Sequence, residues 1–236
     1  MDIAEKVLRQ KQDFDDVYKA GKKAEYDAFW DMIQDYGNRT NYNTAFARWN
    51  CEYVRPKYKV IAKDGQSAGS VFSNMLELKK VEAKYFDFSQ KETGANHNTG
   101  YYYTFSGCSK IEEIEDIGLV PQYSYVYSFG YCYKLHTIAK MGVDENTAYT
   151  KTFEKCEALE NITIEGTIGQ NGFDIRWSTK LSADSLKSII NALSTTTTGL
   201  KITLPKTAQA NYEAVYGSGS WATLTATKSN WTIAYA

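Results

Sequence analysis

The chain has 236 residues, and 43% apolar with 14% aromatic side chains are ample for a core in one large or two small domains. Twenty-seven basic and 28 acidic residues leave a net charge of −1, which excludes the long-range positive field that draws a protein to phosphate backbones. No apolar stretch approaches the roughly 18 residues needed to cross a bilayer, and the opening MDIAEKVLRQKQDFDD is charged where a signal peptide is apolar. The sequence therefore predicts no membrane insertion, no nucleic-acid partner and no export.

In chain order, residues 2–20 read as an amphipathic helix whose seam is Ile3, Val7, Phe14 and Val17, with Gln10 at its one polar step. Gly21 separates it from a second helix over residues 22–36, striped with Tyr26, Phe29, Trp30 and Ile33. Residues 1–37 are thus expected to attach or oligomerise the chain, through the seam or by folding back on each other. Gly37 to Asn41 is a turn signal, and residues 38–69 form a connector and solenoid entry, holding Trp49 and Pro56.

Residues 70–180 carry one unit written repeatedly. Phe105, Phe129 and Phe153 stand 24 apart, as do Cys108, Cys132 and Cys156, then Ile111, Leu135 and Leu159, then Ile114, Ile138 and Ile162. Gly118, Gly142 and Gly166, and upstream Tyr101, Tyr125 and Tyr149, keep the same spacing. A unit this short cannot close a core alone, so its apolar stripe stacks on its neighbours and predicts a parallel solenoid with a continuous internal ladder. Each repeat is expected to carry a short strand over its Leu-x-x-Ile segment, about 4.8 Å from the next. Phe72, Met75, Leu78 and Val81 mark an earlier coil, and the 33-residue step to Phe105 places an insertion over residues 85–98. Phe173 and Trp177 fall 24 beyond Tyr149 and Phe153 and extend the register. Three cysteines in one inward column read as a structural ladder of free thiols, with no ligand pair at zinc spacing; Cys51 lies outside it.

Residues 181–236 change character. Ser182 reads as the N-cap of a helix carrying Leu186, Ile189, Ile190 and Leu193, closed by TTTTG. Leu200, Ile202 and Leu204 alternate as a strand, residues 207–216 and 221–228 look helical, and Trp231, Ile233 and Tyr235 alternate as a last strand. Such a unit caps the array and blunts its exposed strand edge.

The strings FSGCSKIEEI, FGYCYKLHTI and FEKCEALENI resemble the BspA-type leucine-rich repeat of bacterial surface proteins. The flanks, YKAGKKAEYDAFWDMIQDYGNRTNY before the repeats and LSADSLKSIINALSTTTTGLKITL with WTIAYA after them, are similar to repeat proteins encoded by phages and prophages of gut Firmicutes. That resemblance implies an α/β leucine-rich-repeat solenoid with N-terminal helices and a helix-strand cap. It further implies a structural protein of a virion or prophage, in a tail fibre, baseplate or head decoration, with a recognition role.

Chemistry has few footholds. Histidines number two, His97 in the insertion and His136, which shares a column with Glu112 and Glu160; a solvated repeat face explains that column more simply than a metal or proton-relay site. No P-loop, HExxH or CxxC pattern occurs, no cofactor is implied, and no pair of carboxylates marks a glycosidase. The binding signal is aromatic. Tyr101, Tyr125 and Tyr149 are periodic and expected to stack, whereas Tyr102, Tyr123, Tyr127, Tyr131 and Tyr133 are expected to be exposed by alternation, beside Glu112, His136 and Glu160. The expectation is a non-enzymatic protein, resident in a virion or in the cytoplasm of the producing bacterium. It would recognise a host-surface glycan or protein, bind other virion proteins and self-associate as a trimer through its N-terminal helices. A pure assembly connector is the alternative, and an enzyme acting on cell-wall glycan comes third.

Overall fold

The computed structural model describes residues 46–56, 59–63, 68–90, 100–121 and 124–236. The segments expected to form two N-terminal helices, with Ile3, Val7, Phe14 and Val17, the expected 37–41 turn, His97 and Tyr123 lie outside the described residues. The fold is mixed α/β with parallel sheets. Its elements run β1 (Val60–Lys63), β2 (Lys80–Val81), β3 (Phe86–Gln90), β4 (Glu113–Ile114), β5 (Thr137–Val143), β6 (Asn161–Gly166), α1 (Ala183–Ala192), β7 (Leu200–Leu204), α2 (Ala208–Tyr216), α3 (Ser220–Ala226) and β8 (Trp231–Tyr235). Strands β2-β4-β5-β6 form one sheet, β1 pairs with β3 and β7 with β8, every pair parallel; no sheet among the described residues closes into a barrel.

The repeat spacing sets the register. Lys80, Glu113, Thr137 and Asn161 stand side by side, and so do Val81, Ile114, Ile138 and Ile162. Behind them the Phe72, Phe105, Phe129 and Phe153 rings stack face to face, with centroids 5.2, 5.6 and 5.7 Å apart. Each is fully buried, so each contributes on the order of 1.5–3 kcal/mol of apolar burial. The cysteine column is buried too, and its thiols are free. Each thiol donates to the carbonyl of the Phe one repeat earlier: Cys108 to Phe72, Cys132 to Phe105 and Cys156 to Phe129, at 2.9, 3.1 and 3.0 Å. In these three repeats a small side chain with one donor fits the column.

A second buried polar column stands one residue before each Phe, a position the apolar periodicity does not mark. The Thr104, Ser128 and Thr152 hydroxyls donate to the carbonyls of Ala68, Tyr101 and Tyr125. Where coils approach most closely, glycine is obligatory. Gly166 has φ +107°, and a Cβ there would sit 2.0 Å from the Val143 carbonyl oxygen.

Three features depart from the sequence reading. The register begins earlier, since Phe46 stacks on Phe72 at 5.6 Å and the Trp49 N–H donates to the Phe46 carbonyl as that of Met75 does to Phe72. The connector over residues 38–69 therefore contains a coil, hidden because Trp49 takes the Cys place. The insertion is not wholly a loop: β3 opens it, pairs with β1 and buries Phe86 and Phe88. In the last coil the step is 22 residues, not 24. The Ser178 N–H donates to Ile175 and Leu181 to Ser178, as Cys156 does to Phe153 and Leu159 to Cys156, so Ile175 takes the Phe place. Trp177 is 37% exposed and outside the ring stack, while Phe173 is buried against Tyr149 and Phe153 at 5.1 and 5.3 Å.

The terminal unit has the expected order. Ser182 caps α1 by accepting the Ser185 N–H at 3.2 Å, and Leu186, Ile189 and Ile190 face the core. Helix α1 also finishes the sheet: the β6 amides of Ile162 and Ile164 donate to the hydroxyls of Ser185 and Ser188 at 2.9 and 2.8 Å. Two serines thus stand where the next strand would be, and the edge of β6 is sealed. Strand β7 is bridged on its other side through Asp174 and Thr203, and β8 pairs with β7 and with no other strand of the described residues.

Candidate functional site

Two exposed columns flank the buried Phe stack. The residue two before each Phe is Ser70, Tyr103, Tyr127 and Lys151, with φ of 55°, 56°, 55° and 53°. The residue two after is Arg48, Asn74, Gly107, Tyr131 and Lys155, with φ of 66°, 57°, 75°, 64° and 62°. Both columns sit in left-handed backbone, because the coil must reverse tightly on either side of the inward ring. That conformation costs a side chain roughly 1–2 kcal/mol and is ordinarily left to Gly or Asn.

Side chains from these columns meet on one surface. The Tyr103 and Tyr127 rings stack with centroids 4.9 Å apart and 7° between planes. The Lys151 ammonium lies 5.2 Å from the Tyr127 centroid, and a hydrogen bond with Tyr127 holds that ammonium above its ordinary pKa. Tyr131 makes an edge contact with Tyr133 at 6.3 Å, and the negative charge of Glu154 pushes the Tyr131 phenol up. Lys151 and Glu154 are 3.6 Å apart. Lys155 sits 3.6 Å over the Trp177 ring, a cation–π contact that fixes both at the surface. Tyr103, Tyr131 and Tyr133 are 41%, 38% and 45% exposed.

Exposure by alternation is therefore right for Tyr131 and Tyr133 and needs correction elsewhere. Tyr127 is half-buried between Tyr103 and Lys151. Tyr102 is half-buried with its ring over Gly69, where an added Cβ would come within 2.8 Å of it. Tyr101, Tyr125 and Tyr149 are fully buried, and desolvation raises all three phenols. Tyr103, Lys151 and Trp177 belong to the surface although alternation does not select them. The repeat does select two of them, since Tyr103 and Lys151 share the 24-residue spacing of Tyr127.

Glu112, His136 and Glu160 form a separate column at the strand starts. The His136 N–H donates to the Glu112 carbonyl at 2.8 Å and the Glu160 N–H to the His136 carbonyl at 3.0 Å. His136 Nδ1 lies 3.8 Å from Glu160 Oε1, with both side chains well exposed. Among the described residues no group of three or more His, Cys, Asp and Glu is placed to hold a metal ion. Beside this column run ion pairs between coils: Lys80 bridges Glu113 and Glu115 at 2.8 and 2.6 Å, and Lys140 bridges Asp116 and Glu165 at 3.3 and 3.2 Å. These tie coil to coil, whereas the tyrosine columns offer ring edges, hydroxyls and ammonium groups outward. Among the described residues no helix is long and apolar enough to cross a membrane. No protein-family model, curated protein or solved structure matches this chain.

Proposed function

We propose that the chain is a leucine-rich-repeat solenoid and a non-enzymatic structural protein of a phage or prophage particle, placed in a tail fibre, baseplate or head decoration. Its tyrosine-rich turn face recognises a host-surface glycan or protein. The observation that carries this reading is the occupancy of the two left-handed columns. Gly107 and Asn74 stand in one of them, so the turn accepts inexpensive residues, yet three consecutive repeats place Tyr103, Tyr127, Tyr131, Lys151 and Lys155 there. Exposed or half-buried side chains held at the expense of backbone strain point to contacts outside the chain. Tyrosine supplies large amphipathic contact area at low entropic cost, which suits sugar or protein.

The test is a particle carrying Tyr127→Ala and Tyr131→Ala. Intact particles that no longer adsorb to cells support recognition. Loss of the particles themselves supports the second reading, an assembly connector, which the charge-poor stretch from Thr207 to Ala236 favours.

A further inference from the structure

We propose that β8 pairs two copies of this chain edge to edge, antiparallel about a two-fold axis. The Ala236 N–H donates to the Leu204 carbonyl at 3.1 Å, so residues of even number on β8 turn their backbone groups to β7. Ile233 and Tyr235 therefore direct N–H and C=O away from β7, where no strand of the described residues lies. Strand β8 itself carries none of the residue types or irregularities that blunt an edge. β8 contains no Lys, Glu or Pro, and its register with β7 is unbroken from Leu200 and Trp231 to Leu204 and Tyr235. The contrast with β6 is internal to the molecule, for there Ser185 and Ser188 occupy the edge.

The segment from α2 to β8 is depleted of charge. From Thr207 to Ala236 the charged residues are Glu213 and Lys228 alone, against 23% for the chain. Neither is free: Lys228 is buried on the carbonyls of Asn191 and Leu193, and Glu213 accepts from Gly219 and Gln209. Helix α3 is joined to β8 by the Trp221 indole donating to the Tyr235 hydroxyl at 2.8 Å, and it exposes Ala222, Thr223 and Ala226. Charge depletion with exposed aromatics is the composition of an interface core. The occupant is a second copy because a two-fold axis through Ile233 is self-complementary. Ile233 exchanges both backbone bonds with its own mate, Trp231 comes opposite Tyr235, and no like charges meet.

Light scattering on the full chain over a concentration series, with Ile233→Pro beside it, tests the pairing. Proline removes a donor that faces away from β7, and the expected result is a mass that halves in the variant while its chain remains folded. Amide exchange on the unmodified chain gives an independent readout: Ile233 and Tyr235 should be protected at high concentration and lose that protection on dilution. A mass that Ile233→Pro does not alter, or edge amides unprotected at every concentration, overturns the proposal. That outcome leaves recognition by the tyrosine face untouched, since adsorption is read on different residues.

Discussion

Gly107 and Tyr131 hold the same place in successive repeats, two residues after the stacked Phe105 and Phe129, with φ of 75° and 64°. One position tolerates glycine and the other carries a 38% exposed ring, so the ring is not a requirement of the turn. Tyr131→Gly relieves the left-handed strain while adding unfolded-state entropy, two effects of about 1 kcal/mol that oppose each other. Chemical denaturation should place this variant within about 1 kcal/mol of the parent. A loss several times larger would make the column structural.

Phe129→Ala is the opposite case. The ring is fully buried between Phe105 and Phe153, and its removal leaves a cavity in mid-stack that should cost about 3–5 kcal/mol. Glu112→Ala, on the exposed column, should stay within about 0.5 kcal/mol. Equal melting temperatures for the two variants would refute the stacked register.

The seal on β6 is also measurable. Ser185→Ala and Ser188→Ala each strip a backbone amide of its acceptor, Ile162 in one case and Ile164 in the other, at a cost of about 1–3 kcal/mol per orphaned group. Hydrogen exchange at those two amides should accelerate. Unchanged exchange would mean that another group holds the edge.

Alkaline pH probes the inner columns. Burial pushes the Cys108 thiol up to about 12 and raises Cys132 and Cys156 as well, and it raises the Tyr101, Tyr125 and Tyr149 phenols. These are acids whose folded pKa exceeds the unfolded one, so the unfolded chain loses protons first. Their contribution is complete below the unfolded thiol value of about 8.5 and declines above it, by about 1.4 kcal/mol per pH unit for each group fully ionised in the unfolded chain. Melting temperature should be insensitive to these groups at neutral pH and fall steeply above about pH 9. A flat profile to roughly pH 10.5, past the unfolded thiol and phenol values, would contradict burial of both columns.

Much of this fold is legible in the sequence, for a physical reason. A repeat that packs on its own copies must keep one register, so Phe105, Cys108, Ile111 and Ile114 announce their neighbours at fixed spacing. The start of the segment after the repeats is legible for the opposite reason, because Ser182 and the apolar steps of α1 are local signals that need no partner. What escapes is whatever substitutes one residue type for another. Trp49 stands in for cysteine and Ile175 for phenylalanine, and the last coil is two residues short, so the spacing wrongly assigns Trp177 to the core. The exposed site is only half visible. Alternation describes strands, and the tyrosines sit in left-handed turns, where side-chain direction depends on φ and not on parity.

The claim that most needs testing is that the turn columns serve recognition. The direct measurement is retention of the labelled full chain on intact cells of the strain that encodes it, beside a Tyr103→Ala, Tyr131→Gly double variant. The parent should be retained, and loss of two aromatic contacts worth about 2 kcal/mol or more together should reduce retention at least about thirtyfold while the fold survives. Equal retention of the two, or none of the parent, would contradict the account.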